Sequence, residues 1–308
     1  MVMGLVKYMA RSNVTHENIP LRYTVDNNRL TQEQRQFYEK NGYIVFPRFI
    51  PQYILDKCHK RFDDLAAGKI DRNMMTLMYD IKDRKALNKI QDINHDVVFR
   101  EYLEYPKMLD IIEAFTGPSI LAIHSMLIAK PPDKGYGTSK HPPHQDLYYF
   151  PLRPADKIVA SWTAMEPCDR ENGCLYVAPG THKLDRLFEH DYPKSGVDTV
   201  NKYYHGIQDV PESVKWVDLE MNVGDTVFFH PLLIHGSGVN VSKRTRRAIS
   251  GHYASAQCNY IDVDTTVQKR ISDEILQDVR KKVPGATLTY QDIWKFKATL
   301  VRGMHSSL

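Results

Sequence analysis

Cysteine is scarce in this sequence of 308 residues, which contains four: Cys58, Cys168, Cys174 and Cys258. Their spacing includes no C-x-x-C pair and no dense framework, which excludes a zinc module and a disulfide scaffold and fits a reducing compartment. Long apolar runs are also missing, because no stretch approaches the roughly 18 residues of a membrane helix and the N-terminus lacks the apolar core of a signal peptide. We therefore expect a protein that neither spans a membrane nor is secreted.

The sequence also lacks a strong charge of one sign. Its formal net charge is +4, which is too small and too dispersed to indicate a nucleic-acid partner but allows an acidic small substrate. Hydrophobic residues at 42% and charged residues at 25% are ordinary values for a folded chain. Composition therefore predicts a globular protein without nucleic-acid binding.

Periodicity along the chain predicts one domain. Residues 1–20 show no apolar periodicity and are interpreted as an N-terminal tail of uncertain order. Helical spacing occurs at 51–67 and 105–115, whereas 119–255 consists of short β-rich runs separated by Pro, Gly, Asn and Asp. We predict a single domain over 21–308, mainly β with flanking helices, whose β core is a sandwich or jelly roll.

The triplet His144-Gln145-Asp146 is the first to indicate chemistry. In an extended strand, residues two apart project from one face, so His144 and Asp146 can bind the same ion, whereas His141 has the wrong parity. An H-x-D triplet arises easily by chance in a chain with 13 histidines, so a metal site needs a third ligand. Two histidines, His230 and His235, compete for that role in the apolar run that ends in glycines.

Their surroundings favour one histidine without excluding the other. His230 precedes Pro231 inside the apolar run, where a packed and hydrogen-bonded core histidine is expected. His235 adjoins Gly236, which allows close approach of backbone and ligand at a strand end. Two histidines and one carboxylate would leave three positions of an octahedron open, an arrangement that suits iron(II) with a bidentate keto acid and dioxygen.

A basic run that ends at Arg247 follows His230 and His235 in the chain. An oxygenase that uses 2-oxoglutarate needs one fixed guanidinium to take the distal carboxylate in a two-pronged contact. Arg244 and Arg246 share one parity and Arg247 has the other, so position alone leaves two candidates. The order of H-x-D, a distant histidine and an arginine predicts an iron(II)- and 2-oxoglutarate-dependent dioxygenase.

The chain resembles the phytanoyl-CoA dioxygenase family from about Tyr23 to its C-terminus. The stretches that carry the resemblance include His144-Gln145-Asp146-Leu147, Trp162-Thr163-Ala164-Met165-Glu166, Asn172-Gly173-Cys174-Leu175, Pro179-Gly180-Thr181-His182 and the run from Gly224 to Gly238. The resemblance implies a double-stranded β-helix, that is, a cupin-like jelly roll, for the β core at about 119–255. It also implies an active enzyme.

The resemblance further implies a set of site residues. Its iron ligands correspond to His144, Asp146 and His235. Its 2-oxoglutarate arginine corresponds to Arg246 rather than Arg244. Four further contacts to 2-oxoglutarate are implied at Lys89, Met126, Trp162 and Ser237.

The family's activity implies a function as well. It is the 2-hydroxylation of 3-methyl-branched fatty acyl-CoA, such as phytanoyl-CoA, in peroxisomal fatty acid alpha-oxidation, with Fe2+, 2-oxoglutarate, O2 and ascorbate as reductant. The N-terminal address Arg-Leu, five residues, His-Leu is missing from residues 1–22, and Ser306-Ser307-Leu308 differs from Ser-Lys-Leu at its middle position. We expect a peroxisomal location, with the cytoplasm as the alternative.

Substrate-binding residues stay unassigned at this point. Cations available for the phosphates of CoA are Lys130, Lys134, Lys140, Arg244 and Arg247, and aromatic residues available for an acyl channel or for the core are Tyr148, Tyr149 and Phe150. Two alternative functions are a related oxygenase that acts on another small molecule and an inactive binding protein of the same fold. The complete set of ligand and arginine candidates favours an enzyme.

Overall fold

The computed structural model describes residues 21–196 and 199–304. The predicted tail at 1–20 and the C-terminal tripeptide at 306–308 lie outside these residues. Within them, no helix combines the length and the apolar character needed to cross a membrane.

Helices cluster near the two ends of the described chain. They are α1 (Gln32–Asn41), α2 (Gln52–Ala66), α3 (Val97–Leu103), α4 (Pro106–Thr116), α5 (Lys269–Lys282) and α6 (Tyr290–Lys297). The start of α1 is set by a capping box, in which the Thr31 side chain accepts from the backbone N–H of Gln34 and the Gln34 side chain accepts from that of Thr31. Gly42 ends α1 with a φ of 78°, in the left-handed region that favours glycine.

Strands occupy most of the middle of the chain. They are β1 (Tyr43–Phe46), β2 (Thr76–Tyr79), β3 (Leu87–Gln91), β4 (Ile120–Lys130), β5 (His141–His144), β6 (Leu152–Arg153), β7 (Ile158–Ala164), β8 (Leu175–Val177), β9 (His190–Asp191), β10 (Gly206–Ile207), β11 (Val217–Leu219), β12 (Thr226–Phe229), β13 (His235–Ser237), β14 (Arg246–Ser255), β15 (Asn259–Tyr260) and β16 (Thr299–Arg302).

Two antiparallel sheets form the centre of the structure. The larger has the order β1-β12-β7-β14-β4-β3-β2, with β16 also paired to β4, and the smaller has the order β11-β8-β13-β5. Short pairs join β9 to β10 and β6 to β15. The large sheet therefore draws strands β1, β2, β3 and β16 from outside the range 119–255.

Alternating side chains show what covers each face of the larger sheet. On β12, Phe228 packs into a cluster with residues of α1 to α4, whereas Val227 and Phe229 pack with Leu175 and Val177 of the smaller sheet. Helices α1 to α4 thus cover the outer face of the larger sheet, and the smaller sheet covers its inner face. The predicted arrangement, an antiparallel β core with flanking helices, is confirmed.

Candidate metal centre

Three potential metal ligands meet at one end of the smaller sheet. His144 is the last residue of β5 and His235 is the first of β13, and the register pairs these two residues directly. Asp146 begins a short 3₁₀ turn after Gln145, whose backbone is still extended with φ −120° and ψ 127°. The side chains two residues apart therefore face the same way, although Asp146 lies outside the strand.

The three side chains are buried and close together. Asp146 Oδ1 lies 3.4 Å from His144 Nε2 and 3.6 Å from His235 Nε2, and the ligand atoms of the group all lie within 4.8 Å of one another. Metal–ligand bonds of about 2.0–2.2 Å place neighbouring ligand atoms around one ion roughly 3 Å apart. The observed spacing is close to this value, so one ion fits between the three residues.

Backbone contacts prepare both imidazoles to bind a metal ion. His144 Nδ1 lies 2.9 Å from the Pro142 carbonyl oxygen, and His235 Nδ1 lies 3.0 Å from that of Leu233. Because a carbonyl oxygen can only accept, each Nδ1 carries a hydrogen, and Nε2 is the ring nitrogen that faces Asp146 and can bind a metal ion. Two imidazole nitrogens and one carboxylate form a donor set that fits iron(II).

His252 on β14 positions the third candidate ligand, Asp146. Its Nε2 lies 2.9 Å from Asp146 Oδ2, which leaves Oδ1 facing the two histidines. Burial alone would raise the pKa of Asp146, but the imidazoles of His235 and His252 outweigh burial and hold this pKa well below its usual range. Burial also lowers the pKa of His235 to about 4. At neutral pH, Asp146 and His235 are therefore in the forms that bind metal ions.

The competing histidine, His230, has a different environment. It is buried, its Nδ1 accepts a hydrogen bond of 3.1 Å from the backbone N–H of Leu232, and its Nε2 lies 3.5 Å from Asp156 Oδ1. Its ring contacts those of Tyr23 and His182 edge-on or at an angle. His230 thus has the packed, hydrogen-bonded environment of a core residue.

His141 lies beside the candidate ligands, although strand parity argued against it. Its ring stacks on that of His144 with centroids 3.8 Å apart. The pairing of β13 with β5 shifts register between His235 and Ser237, so simple alternation does not hold along β5. Pro142 and Pro143 within β5 are typical of an edge strand or a bulge, and β5 lies at the edge of the smaller sheet.

Burial separates the two arginine candidates. Arg246 is 1% exposed, and its guanidinium carbon lies 5.2 Å from the centroid of the Trp162 ring. Its Nε and Nη1 have no hydrogen-bond partner among the described residues. Arg244 is exposed and pairs with Asp169. Of the two arginines, Arg246 is therefore the one whose side chain lies inside the protein with donors free for a carboxylate.

The other residues expected to contact 2-oxoglutarate form two groups. Lys89 and Met126 line a cavity of about 1290 Å³ that also reaches His144 and Asp146. Lys89 is buried with its Nζ 4.2 Å from the centroid of Tyr204, and burial lowers its pKa to about 7.

The second group surrounds Arg246. Trp162 lies under the guanidinium, and Ser237 Oγ accepts a hydrogen bond of 2.8 Å from the Nζ of Lys130. The sequence analysis did not predict this contact of Lys130. Lys130 and Met126 are four residues apart on β4, so their side chains face the same side of the sheet.

The same cavity opens to the surface at a cationic mouth. Exposed cations that line it are Arg84, Lys202, Arg270, Lys281 and Lys282. Lys202 and Lys281 pair with Asp278, whereas neither Arg84 nor Lys282 has a carboxylate partner within 21–196 and 199–304. Deeper apolar and aromatic lining comes from Ile128, Tyr149, Phe150, Ile275 and Trp294.

The residues that the sequence offered for CoA and for an acyl channel are mostly engaged elsewhere. Lys130 is buried, Arg244 pairs with Asp169 and Arg247 pairs with Asp63. Of the aromatic candidates, Tyr149 and Phe150 line the cavity, and Tyr148 stacks on His190 with ring centroids 4.3 Å apart.

Comparison with known sequences gives consistent matches. A sequence model described as phytanoyl-CoA dioxygenase (PhyH) matches residues 38–248. The chain is 47% identical over 297 residues to the human protein "Phytanoyl-CoA dioxygenase, peroxisomal", covering 93% of this chain and 87% of that protein. It is 46% identical over 306 residues to "Probable phytanoyl-CoA dioxygenase" of Caenorhabditis elegans, covering 93% and 97%.

Comparison with solved structures confirms the fold. EctD from S. alaskensis with 2-oxoglutarate and 5-hydroxyectoine aligns with a TM-score of 0.60 at 17% identity, covering 77% of this chain and 81% of that chain. The non-heme alpha ketoglutarate dependent carbocyclase SnoK aligns with a TM-score of 0.59 at 20% identity, covering 78% and 90%. At such identities the likeness shows the fold, which is the predicted cupin-like jelly roll.

Proposed function

This chain belongs to the phytanoyl-CoA dioxygenase family, and we propose that it hydroxylates a 3-methyl-branched fatty acyl-CoA, such as phytanoyl-CoA, at carbon 2. The reaction would consume 2-oxoglutarate and dioxygen and release succinate and carbon dioxide, with one oxygen atom entering the acyl chain. The observation that carries the proposal is the cavity that joins His144 and Asp146 to a cationic mouth.

His144, Asp146 and His235 would hold iron(II), which, with its cosubstrates, supplies the oxidising power that replaces a C–H bond by a C–O bond. The backbone carbonyls of Pro142 and Leu233 keep both imidazoles oriented through Nδ1. No side chain needs to act as an acid or base, so the role of these residues is to position the reactants.

Arg246 would anchor the distal carboxylate of 2-oxoglutarate. Its guanidinium is buried on the Trp162 ring, and its Nε and Nη1 have no partner among the described residues, so the side chain keeps N–H donors free for an incoming carboxylate. Lys89, Met126 and Ser237 are proposed as further contacts to the cosubstrate. Two of these, Lys89 and Met126, lie on the walls of the cavity that would receive it.

The cavity also suits an acyl-CoA rather than a free fatty acid. Its inner walls are apolar and aromatic, as an acyl chain requires, and its exposed mouth carries cations that attract the phosphates of CoA. Arg84 and Lys282 stand out because no described carboxylate neutralises either of them. We assign the nucleotide phosphates to this part of the mouth.

The experiment compares phytanoyl-CoA with free phytanic acid, using iron(II), 2-oxoglutarate and ascorbate and following the hydroxylated product by mass spectrometry. The proposal requires product from the CoA ester, and a double variant Arg84→Ala/Lys282→Ala should raise KM for the ester with little change in kcat. Lys295→Ala, an exposed cation on α6, is the matched control. Turnover of the free acid but not the ester would overturn the substrate, and product from neither would overturn acyl hydroxylation.

We also propose a peroxisomal location. The human and bovine relatives are named peroxisomal, and the chain is 47% and 45% identical to them. Fractionation of cells that express the full chain would test this, with recovery in the cytosol as the contradicting result.

A further inference from the structure

Two buried cations lie side by side on neighbouring strands of the larger sheet. Arg246, the first residue of β14, pairs in register with Lys130, the last residue of β4. Their residues are 1% and 3% exposed. Side chains directly opposite each other on antiparallel strands have Cβ atoms about 4.5–5.5 Å apart, and like charges in such positions destabilise a sheet. This pair therefore requires an explanation.

Neither cation has an acidic partner among the described residues. The Lys130 ammonium donates to Ser237 Oγ at 2.8 Å and to the carbonyl oxygen of Gly238, which are both neutral groups. The Arg246 side chain lies over Trp162, and its Nε and Nη1 have no partner in the same part of the chain. Burying charge without compensation is costly, so this arrangement is complete only when an anion binds beside it.

The hydrogen bond from Lys130 also fixes the direction of the Ser237 hydroxyl. When Lys130 is protonated, the form that a bound carboxylate favours, its ammonium has three donors and no lone pair, so Ser237 Oγ is the acceptor in this contact. The single hydrogen of that hydroxyl is then free to point elsewhere. An anion held by Arg246 is the group that this hydrogen can reach, because Ser237 and Arg246 flank the same ammonium.

We propose that Lys130 is a positioning residue for the cosubstrate: it orients the Ser237 hydroxyl toward the distal carboxylate of 2-oxoglutarate and places a second positive charge beside Arg246. This inference rests on the proposed use of 2-oxoglutarate and adds a residue that neither the sequence pattern nor the family resemblance assigned. Lys130 thereby becomes a determinant of the choice of a dicarboxylate over a 2-oxo acid with one carboxylate.

Burial is consistent with this role. The pKa of Lys130 is well below its usual range, first because of burial and then because of the neighbouring Arg246 charge. A bound carboxylate would favour the protonated form again, since an opposite charge stabilises an ammonium.

The test is anaerobic binding calorimetry on the full chain loaded with iron(II), with 2-oxoglutarate and 2-oxopentanoate as the two ligands. The second ligand keeps the keto acid end and lacks the distal carboxylate. Lys130→Met should weaken 2-oxoglutarate binding about 10- to 100-fold, the range given by the usual strength of a hydrogen bond to a charged group, and leave 2-oxopentanoate binding unchanged. Lys243→Met, an exposed lysine in the connection before β14, is the matched control and should bind both ligands as the native chain does.

Two more variants separate positioning from a structural effect. In a Ser237→Ala background, Lys130→Met should cost much less affinity than in the native background, because the hydroxyl that it orients is already gone. Lys130→Arg should recover part of the lost affinity. If Lys130→Met does not fold, Lys130→Gln removes the charge at similar length and takes its place.

Each contradicting result points to one claim. A native chain that does not bind 2-oxoglutarate would overturn the proposed function. If the native chain binds 2-oxoglutarate and Lys130→Met binds it equally well, only the role of Lys130 is overturned. The same holds if Lys130→Met weakens the binding of both ligands equally, or if it costs the same affinity for 2-oxoglutarate in the Ser237→Ala background as in the native background.

Discussion

Replacing Arg246 by methionine should change ligand affinity and stability in opposite directions. The guanidinium is 1% exposed and two of its nitrogens have no described partner, so it adds an uncompensated charge to the unliganded protein. Removing such a charge in favour of an apolar side chain of similar length should stabilise the unliganded fold by about 1–4 kcal/mol. The gain arises from lost desolvation cost rather than from a new contact.

The same substitution should nearly abolish 2-oxoglutarate binding. Two hydrogen bonds from the guanidinium to one carboxylate, at about 1.5–3 kcal/mol each, sum to roughly 3–6 kcal/mol. At about 1.4 kcal/mol per factor of ten, this corresponds to a loss of roughly 100- to 10,000-fold in affinity.

The assay combines thermal unfolding of the metal-free chain with anaerobic calorimetry of the iron(II)-loaded chain. Arg246→Met should unfold at a higher temperature than the native chain and show almost no binding of 2-oxoglutarate. Arg244→Met is the matched control, since that arginine is exposed and paired with Asp169, and it should change neither property much. The reasoning fails if Arg246→Met binds 2-oxoglutarate normally, or if Arg244→Met is the variant that loses it.

Three further predictions concern groups next to the candidate metal centre. His252→Ala removes the partner of Asp146 Oδ2, so iron(II) titrations should show an affinity about 10- to 100-fold lower, and an unchanged affinity would refute the positioning of Asp146. Lys89, with a pKa of about 7, loses its charge as the pH rises through that value. The affinity for 2-oxoglutarate should therefore fall with rising pH, and more steeply in the native chain than in Lys89→Met. Equal pH dependence in the two proteins would exclude a contact between Lys89 and 2-oxoglutarate. Gly236→Ala should lower the affinity for iron(II), because a Cβ at this position would lie 2.5 Å from the Tyr176 hydroxyl oxygen and 2.8 Å from the His141 carbonyl oxygen. Relief of these contacts would move β13, which carries His235. An unchanged affinity would show that β13 can shift without disturbing the site.

Periodicity predicted the elements that are long and have one clear apolar face. The expected helices at 51–67 and 105–115 correspond to α2 and α4, each within one residue at both ends. Helix α3 has seven residues, too few for a helical period to be recognised, and it begins where the Asp96 side chain accepts from the backbone N–H groups of Val98 and Phe99. Long-range pairing, such as that of β1 with β12, depends on the whole fold and has no local signal.

The candidate metal centre was predictable in its members but only partly in its surroundings. Local spacing suggested His144 and Asp146, yet the choice between His230 and His235 needed a resemblance, and the structure supplies a physical reason through the contact of His230 with Asp156.

The alternation of side chains along a strand could have indicated two further residues next to the site. Lys130 shares the parity of Met126 on β4, and His252 shares that of Arg246 on β14. The contacts themselves, Lys130 with Ser237 and His252 with Asp146, join distant segments and required the fold.

Equilibrium iron(II) binding by the native chain and by Asp146→Ala tests whether His144, Asp146 and His235 form an iron(II) site. Asp209→Ala, an exposed carboxylate, serves as the control. We expect one iron(II) per native or control chain and almost none for a folded Asp146→Ala. Stoichiometric iron(II) binding by Asp146→Ala, at the affinity of the native chain, would show that these three residues do not form the iron site.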